Sequence, residues 1–275
     1  MPQTLTQIKA LLDFAGLRPR KRFGQNFLID HGKIGLILDA AALAPDDLVL
    51  EVGPGTGALT ERLLDAGATV IAIEIDLDLC DILRSQFADR DRFTLIEGDV
   101  MDGKRHLNAS LAQAMGDSKL EARSAKLVAN LPYNIASPLL ATLAADYPQV
   151  ASGVVMVQRE VADRMCAGEG GKDYGPLSII LQAMWELSIV TTLPPACFWP
   201  RPQIESAVVK FVRRVRPLTD DPGKLSALVQ TLFSKRRKQI GTILGRDRAL
   251  PPGIEPTMRP EQLTVAQIVA MSLEG

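Results

Sequence analysis

The sequence predicts an α/β fold: a mostly parallel sheet of seven strands, covered by helices on both faces, with a small all-helical domain at the C-terminus. Seven short apolar runs rich in β-branched residues alternate with segments of helical length, a pattern typical of a parallel sheet buried on both faces. No strand pattern appears beyond the stretch 216–223, which contains proline and aspartate. We therefore expect a first domain at 1–215 and a helical domain at 216–275.

The spacing of apolar residues predicts each element in turn. Apolar, β-branched runs predict strands at 47–52, 69–75, 93–97, 126–130, 152–158, 188–194 and 206–213. Helical spacing predicts helices at 4–16, 31–43, 57–66, 77–87, 104–115, 137–145, 159–167, 176–187, 222–245 and 264–273. The last two strands are joined by the proline-rich loop PPACFWPRPQIE rather than by a helix, so we expect an antiparallel pair at the sheet edge.

The composition argues against several classes of protein. No run of about 18 apolar residues appears, and the N-terminus has no charged leader before an apolar core, so neither a membrane span nor a signal peptide is expected. The three cysteines, Cys80, Cys166 and Cys197, are too far apart for a disulfide framework or a metal clip, which fits a reducing cytoplasm. With only His31 and His106 as histidines, neither a His-rich metal site nor a Ser-His-Asp triad is expected.

The net charge of −1 conceals a strong asymmetry along the chain. Residues 34–209 carry 13 Lys and Arg against 24 Asp and Glu, a balance of −11. Residues 1–33 carry 6 against 2, and residues 210–275 carry 12 against 6. Two basic ends around an acidic middle predict that the ends bind a polyanion while the middle has another task. Ordinary solvated surface charge is the alternative explanation for each cluster.

A glycine-rich turn follows the first predicted strand in EVGPGTGALT, residues 51–60. Gly53, Gly55 and Gly57 allow the backbone to bend sharply there and to approach a ligand closely. Glu74 ends the second strand, 21 residues after Gly53, where a carboxylate can accept hydrogen bonds from the ribose hydroxyls of an adenosine. Asp99 closes the third strand, where it can face the adenine amino group. These residues together predict a nucleoside cofactor; ordinary polar strand ends are the alternative.

The same turn also bears on which nucleoside cofactor binds. It has the spacing G-x-G-x-G rather than the G-x-G-x-x-G of dinucleotide-binding proteins. In addition, the sequence near the turn lacks a second basic residue that would indicate binding of a pyrophosphate group. Both observations favour S-adenosylmethionine over a dinucleotide such as NAD.

The fourth predicted strand ends in NLPY, and its tip should open on the same crevice as the cofactor. The Asn130 carboxamide and the Leu131 carbonyl can accept hydrogen bonds from an exocyclic amine on a planar base, which makes its nitrogen a better nucleophile. Pro132 stiffens the turn, and Tyr133 offers a flat face for stacking. Phe198, in the proline-rich loop, could cover the other face of a base that is flipped out of its stack. A capped turn and ordinary core aromatic residues are the alternatives.

The motifs of this chain together resemble a known family. They are KRFGQNFL (21–28), EVGPGTGALT, NLPYNIASPLL, MVQREVADRM (156–165), YGPLSII (174–180), FWPRPQIESAVVKF (198–211), FSKRRKQI (233–240) and EPTMRPEQLTVAQ (255–267). In this order they resemble the ribosomal RNA small-subunit adenine N6,N6-dimethyltransferase A family over about residues 18–272. The resemblance implies a Rossmann-like, seven-stranded class I methyltransferase sheet and S-adenosylmethionine as the cofactor, with no metal.

The resemblance also implies roles for individual residues. Contacts to the cofactor would come from Asn26, Leu28, Gly53, Glu74, Asp99 and Asn130. The target adenine would be held by Asn130, Leu131, Pro132, Tyr133 and Phe198. The stretch 21–28 would close over both.

A reaction and a partner follow from the same resemblance. The reaction would be the dimethylation of N6 of two adjacent adenines in the 3′-terminal hairpin loop of 16S rRNA, with a role in the biogenesis of the small ribosomal subunit. The helical domain would dock on the rRNA, and we expect a cytoplasmic monomer. The alternatives are a large-subunit rRNA adenine methyltransferase, an assembly factor with little need for catalysis, and an NAD-dependent dehydrogenase.

Overall fold

A computed structural model describes residues 3–103, 106–116, 124–245 and 248–273. The central sheet has seven strands: β1 (Leu48–Val52), β2 (Thr69–Glu74), β3 (Phe93–Glu97), β4 (Ala125–Asn130), β5 (Val150–Gln158), β6 (Trp185–Leu193) and β7 (Ser206–Arg213). Their spatial order is β3-β2-β1-β4-β5-β7-β6. Strands β1 to β5 pair in parallel, whereas β7 lies between β5 and β6 and is antiparallel to both. The predicted antiparallel pair at the sheet edge is confirmed.

Helices fill most of the connections between these strands. They are α1 (Leu5–Phe14), α2 (His31–Ala41), α3 (Ala58–Asp65), α4 (Leu77–Gln86), α5 (Ala109–Met115), α6 (Ala136–Asp146), α7 (Arg159–Cys166), α8 (Pro176–Met184), α9 (Pro222–Ser234), α10 (Ile240–Leu244) and α11 (Val265–Leu273). Two short antiparallel pairs accompany them: Phe27–Leu28 with Phe198–Trp199, and Met101–Asp102 with His106–Leu107.

The burial of β1 shows why the sheet is covered on both faces. All five residues of this strand are buried. Because side chains alternate along a strand, Leu48 and Leu50 pack into one hydrophobic cluster while Val49 packs into the other, on the opposite face. A strand with two covered faces carries apolar residues at consecutive positions, which explains the continuous apolar pattern in the sequence.

Three predicted helices differ from the observed elements. The helix expected at 176–187 ends at Met184, because Trp185 pairs with Arg213 in the sheet and stacks on Phe211 with 4.0 Å between ring centroids. The helix expected at 222–245 is interrupted after Ser234, so that α9 and α10 are separate. In the helix expected at 104–115, residues 104 and 105 lie outside the described residues, and a short strand at 106–107 precedes α5.

The C-terminal helices share their hydrophobic core with the α/β part of the chain. Leu225 and Val229 of α9 and Ile268 of α11 belong to the same buried cluster as Leu127 of β4. Thr264 caps the last helix, because its Oγ1 accepts the Gln267 N–H at 3.2 Å. Within the described ranges, the chain beyond residue 216 contains no strand. The division into two domains at this position stays a prediction.

The described part of the chain contains no helix that combines the length and the apolar character needed to cross a membrane.

Replacing Gly153 in β5 by alanine should destabilise the fold. A Cβ atom at this position would lie 2.4 Å from the Phe211 ring and 2.5 Å from the Leu127 carbonyl oxygen, so the central sheet would have to shift. Overpacking of a well-packed core costs about 1–3 kcal/mol. We expect a loss of that size in the free energy of unfolding, measured by urea denaturation. The matched control is Gly168→Ala, which is exposed and has nothing within 4 Å of the added Cβ; equal stability of the two variants would contradict the expectation.

Candidate active site

A cavity of about 270 Å³ lies at the carboxyl ends of β1, β2 and β4. The glycine turn 53–57, the ends of β2 and β4, and the segment 22–28 all contribute to its wall. It thus brings together nine of the predicted site residues: Asn26, Leu28, Gly53, Glu74, Asp99, Asn130, Leu131, Pro132 and Tyr133. Parallel sheets bind ligands at this end, because the loops after neighbouring strands diverge there and leave a crevice.

The glycine turn has the backbone conformation that its sequence predicts. Gly53, Gly55 and Gly57 have φ values of +68°, +62° and +82°, a region that side chains with a Cβ rarely adopt. Two of the three are also crowded, since an added Cβ would lie 3.0 Å from the Phe27 ring at Gly55 and 2.7 Å from the Phe87 ring at Gly57. Conformation and space therefore both require glycine here.

Glu74 occupies the end of β2 and is 5% exposed. Its carboxylate accepts main-chain N–H groups from Gly55 at 3.1 Å, Ile75 at 2.9 Å and Asp76 at 3.0 Å. Burial raises the pKa of Glu74, and these three hydrogen bonds act against that rise by favouring the charged form. Among the described residues, Oε2 accepts a bond from Gly55 alone, so it keeps a lone pair for a ligand hydroxyl.

Glu51 is a cavity residue that the sequence analysis did not single out. It lies within β1, is 2% exposed, and accepts a hydrogen bond from Thr60 Oγ1 at 2.7 Å. Burial raises the pKa of Glu51 to about 8, and the nearby charge of Glu74 raises it further. A single glutamate inside the otherwise apolar strand LVLEV was the signal that could have identified it.

Asp99 reaches the cavity from the loop after β3. It lies two residues beyond the end of that strand and is exposed. Its Oδ1 accepts the Met101 N–H at 3.0 Å, which orients the carboxylate within the loop. The structure therefore places this acidic group at the cavity wall, as its position in the sequence predicts.

The NLPY turn is held by main-chain and side-chain hydrogen bonds. Asn130 Nδ2 donates to the main-chain oxygen of Asn26 at 2.9 Å. The Leu131 N–H donates to the Met156 oxygen of β5 at 3.1 Å, which ties the turn to the sheet. Tyr133 is anchored by a hydrogen bond of 2.7 Å between its hydroxyl and Ser206 Oγ, and burial raises the pKa of Tyr133. The turn therefore presents its polar groups in a defined geometry.

Phe198 does not join the other predicted site residues. Its side chain is 3% exposed, and it is not among the described residues that line the cavity. The residue pairs with Leu28 in the short antiparallel ladder, and its ring packs in the hydrophobic cluster that also contains Leu193 and Cys197. The structure thus puts the ring in the core, and its predicted role in stacking on a base stays a prediction. Phe23 is a half-buried aromatic residue that does line the cavity, and the sequence analysis did not single it out.

The N-terminal segment closes one side of the cavity through a polar network. Arg20 donates to Asp76 through Nη1 at 2.6 Å and also pairs with Asp78. Gln25 Nε2 donates to the other oxygen of Asp76 at 2.8 Å. These contacts hold the segment that carries Asn26 and the pair Phe27–Leu28 against the end of β2. Across the described residues, no group of three His, Cys, Asp or Glu side chains could hold a metal ion.

A sheet in the order β3-β2-β1-β4-β5-β7-β6, with a glycine turn after β1 and an acidic residue at the end of β2, defines the class I methyltransferase fold. Residues 16–274 match the family model described as "Ribosomal RNA adenine dimethylase". The chain belongs to this family, which makes it an rRNA adenine dimethyltransferase.

Curated relatives agree with this assignment, and solved structures agree with the fold. The chain is 38% identical to "Ribosomal RNA small subunit methyltransferase A" of Moorella thermoacetica, over 96% of this chain and 94% of that protein. It is 40% identical to the protein of the same name from Pseudomonas syringae pv. tomato, over 93% and 94%. The fold is similar to that of a dimethyladenosine transferase from Plasmodium falciparum, with a TM-score of 0.72, 23% identity and coverage of 90% and 96%. The 23S rRNA methyltransferase ErmE gives a TM-score of 0.64 at 23% identity, with coverage of 90% and 99%.

Replacing Glu51 by glutamine should change how stability depends on pH. The native protein keeps the Glu51 proton up to about pH 8, whereas the unfolded chain releases it near pH 4.5. The wild type therefore loses stability as pH rises between these values, by at most roughly 1.4 kcal/mol per pH unit, and Glu51→Gln lacks this loss. We expect the free energy of unfolding of the variant, measured by urea denaturation, to rise relative to that of the wild type from pH 5 to pH 8. The control is Glu255→Gln at an exposed position; parallel pH profiles of wild type and Glu51→Gln would contradict the expectation.

Proposed function

We propose that this protein transfers methyl groups from S-adenosylmethionine to N6 of two adjacent adenines in the 3′-terminal hairpin loop of 16S rRNA. Each adenine is taken to the dimethyl form, and the protein works in the cytoplasm as a monomer during biogenesis of the small ribosomal subunit. Family membership supports the reaction, and the 38–40% identity to small-subunit methyltransferases supports the choice of subunit. The observation that carries the proposal is the carboxamide oxygen of Asn130, which no donor among the described residues occupies, in the same cavity as the carboxylate of Glu74.

The cofactor is proposed to lie along the carboxyl ends of β1, β2 and β3. The Gly53–Gly57 turn allows close approach of the backbone, and Glu74 accepts from the ribose hydroxyls. Asp99, at the next strand end, is in position to accept from the adenine amino group. Asn26 and Leu28 would cover the cofactor from the N-terminal segment. The bound cofactor supplies an electrophilic methyl group on a positively charged sulfur.

The target adenine is proposed to enter beside the NLPY turn. Its N6 amine is a weak nucleophile, because the nitrogen lone pair is delocalised into the ring. Hydrogen bonds from N6 to Asn130 Oδ1 and to the Leu131 carbonyl would draw the lone pair out of the ring and stabilise the positive charge that forms during attack. Pro132 has no N–H that could compete for these acceptors, and the Tyr133 ring, held through its hydroxyl, is proposed to stack on the base.

The basic C-terminal part of the chain is proposed to bind rRNA through phosphate groups. Only some of its cations are available for this task. Arg213 donates to four main-chain oxygens, including those of Leu143 and Val150, and burial lowers its pKa. Arg236 binds Glu261 and the main-chain oxygens of residues 171 and 172. Directly after α9, the basic residues Lys235, Arg237 and Lys238 are exposed. These three, rather than Arg213 and Arg236, are the proposed phosphate contacts.

Replacing Asn130 by leucine, which has a similar bulk, should abolish most of the methyl transfer. Loss of one hydrogen-bond acceptor that acts in the transition state lowers the rate by about 10²–10³-fold. The measurement is transfer of labelled methyl groups to undermethylated small subunits, with mass spectrometry to locate them in the rRNA. Melting temperatures of wild type and variant show whether the fold is kept. Full turnover by a folded Asn130→Leu variant would overturn the proposal, and methyl groups found in large-subunit rRNA would overturn the choice of subunit.

Removing Arg237 and Lys238 should weaken binding to small subunits and reduce its dependence on salt. Each lost phosphate contact lowers the slope of log K against log salt concentration by about 0.9. We therefore expect the magnitude of this slope to be smaller by up to about 2 for Arg237→Ala/Lys238→Ala than for the wild type. The binding titrations cover roughly 50 to 200 mM salt. The matched control is Arg90→Ala/Arg92→Ala, which removes two exposed arginines near β3. Equal slopes for the two double variants would contradict this placement of the RNA contacts.

A further inference from the structure

We propose that Asp76 is a positioning residue that sets the orientation of the Asn130 carboxamide, acting through residues 20–26. The two side chains are connected indirectly: Gln25 donates to Asp76, the main chain leads from Gln25 to Asn26, and Asn130 donates to the main-chain oxygen of Asn26. The inference rests on the proposed function for the role of Asn130 in catalysis. The geometry of the connection itself is independent of that role.

Asp76 uses its carboxylate for the N-terminal segment rather than for its own helix. The residue occupies the N-cap position of α4 but makes no side-chain hydrogen bond to the first turn of that helix. It is 3% exposed, and its two oxygens accept from Arg20 Nη1 at 2.6 Å and from Gln25 Nε2 at 2.8 Å. A buried carboxylate that loses such partners is left with a large desolvation penalty, so the network strongly favours the closed segment.

Gln25 completes a ring of hydrogen bonds with Arg20 and Asp76. Its Oε1 accepts the main-chain N–H of Arg20 at 2.7 Å, while its Nε2 donates to Asp76. Arg20 pairs with Asp78 in addition to Asp76. The stretch between Arg20 and Gln25 is therefore fixed at both ends to the loop that follows β2. The residue that comes next in the chain is Asn26.

The main-chain oxygen of Asn26 determines which way the Asn130 side chain points. It accepts Asn130 Nδ2 at 2.9 Å. A carbonyl oxygen can only accept, so the NH₂ group of the carboxamide must face it, and the opposite orientation would bring two oxygens together. Oδ1 is left for the other side, and among the described residues no donor is paired with it. The acceptor that the proposed chemistry needs is free only while Asn26 is in place.

The same network also touches the proposed cofactor site. The main-chain N–H of Asp76 donates to Glu74 Oε1 at 3.0 Å, so Asp76 contacts the carboxylate that would bind ribose. One residue thus connects the end of β2, the N-terminal segment and, through Asn26, the end of β4. The consequence is that Asn130 is oriented for catalysis only when the segment is closed over the cavity.

The first experiment observes the Asn130 side chain directly by NMR of ¹⁵N-labelled protein. Its carboxamide signal is identified by its absence from the spectrum of Asn130→Ala. We expect Gln25→Ala and Asp76→Ala to shift this signal and to speed its hydrogen exchange, because the bond to Asn26 is no longer held. The matched controls are Gln86→Ala and Asp81→Ala, two exposed residues on α4, which should leave the signal unchanged.

The second experiment measures methyl transfer to small subunits under steady-state conditions with multiple turnovers. We expect Gln25→Ala and Asp76→Ala to lower kcat by about 10–100-fold at an unchanged KM for subunits. Asp76→Asn keeps one acceptor oxygen, which can still accept from Gln25 while Arg20 keeps its pair with Asp78, so we expect it to recover part of the rate. In an Asn130→Ala background, Gln25→Ala should not lower the rate of methyl transfer further, because both changes remove the contribution of the oriented Asn130 carboxamide. If Asp76→Ala fails to fold, Gln25→Ala tests the inference by itself.

The outcomes separate this inference from the proposed function. An Asn130 signal that is the same in Gln25→Ala and in wild type would overturn the inference, whatever the activity. Equal rate losses from Gln25→Ala in the wild-type and Asn130→Ala backgrounds would overturn it as well. Full activity of Asn130→Leu would instead overturn the proposed function, and the NMR result would still decide whether Asp76 orients the side chain.

Discussion

The parallel pairing of β1 with both β2 and β4 is the constraint on which the site depends. Val52 pairs with Ile73 on one side, and Leu50 pairs with Leu127 on the other. Parallel strands in register end at the same edge of the sheet, so residues that are far apart in sequence emerge together. Gly53, Glu74 and Asn130 line one cavity for this reason. The apolar residues of β1 that hold this register are buried on both faces.

Glu51 and Glu74 are buried in the wall of this cavity, and Asp76 is buried beside Glu74. Each of these three acidic groups has a different set of partners. Glu51 accepts from a hydroxyl and has its pKa raised by burial, whereas Glu74 is stabilised by three main-chain N–H groups. Asp76 accepts from a guanidinium and a carboxamide. Such a cluster carries a desolvation cost that is offset by hydrogen bonds, and the positive charge of the proposed cofactor would offset it further.

The basic C-terminal part shows that cations in one sequence cluster have different tasks. In FSKRRKQI, Arg236 holds the turn after α9 to Glu261 and to the segment at 171–172, while its neighbour Arg237 is exposed. Arg213 likewise donates to main-chain oxygens of α6 and β5. Local sequence contains no signal for this distinction, because the partners of these side chains lie far away along the chain. The net positive charge predicts an anionic partner. The intramolecular contacts of the basic side chains determine which of them are available to bind it.

The sequence by itself determined the sheet, the order of its elements along the chain and many of the residues that line the cavity. Apolar periodicity depends on which faces of a strand or helix are covered, and that pattern is local; likewise Gly53, Glu74 and Asn130 are each at a strand end that the pattern reveals. Only the tertiary structure decided that Phe198 packs in the core, that Trp185 is in a strand, and that Asn26 orients the Asn130 carboxamide. Each of these depends on contacts between residues distant in sequence, which no window of local periodicity contains.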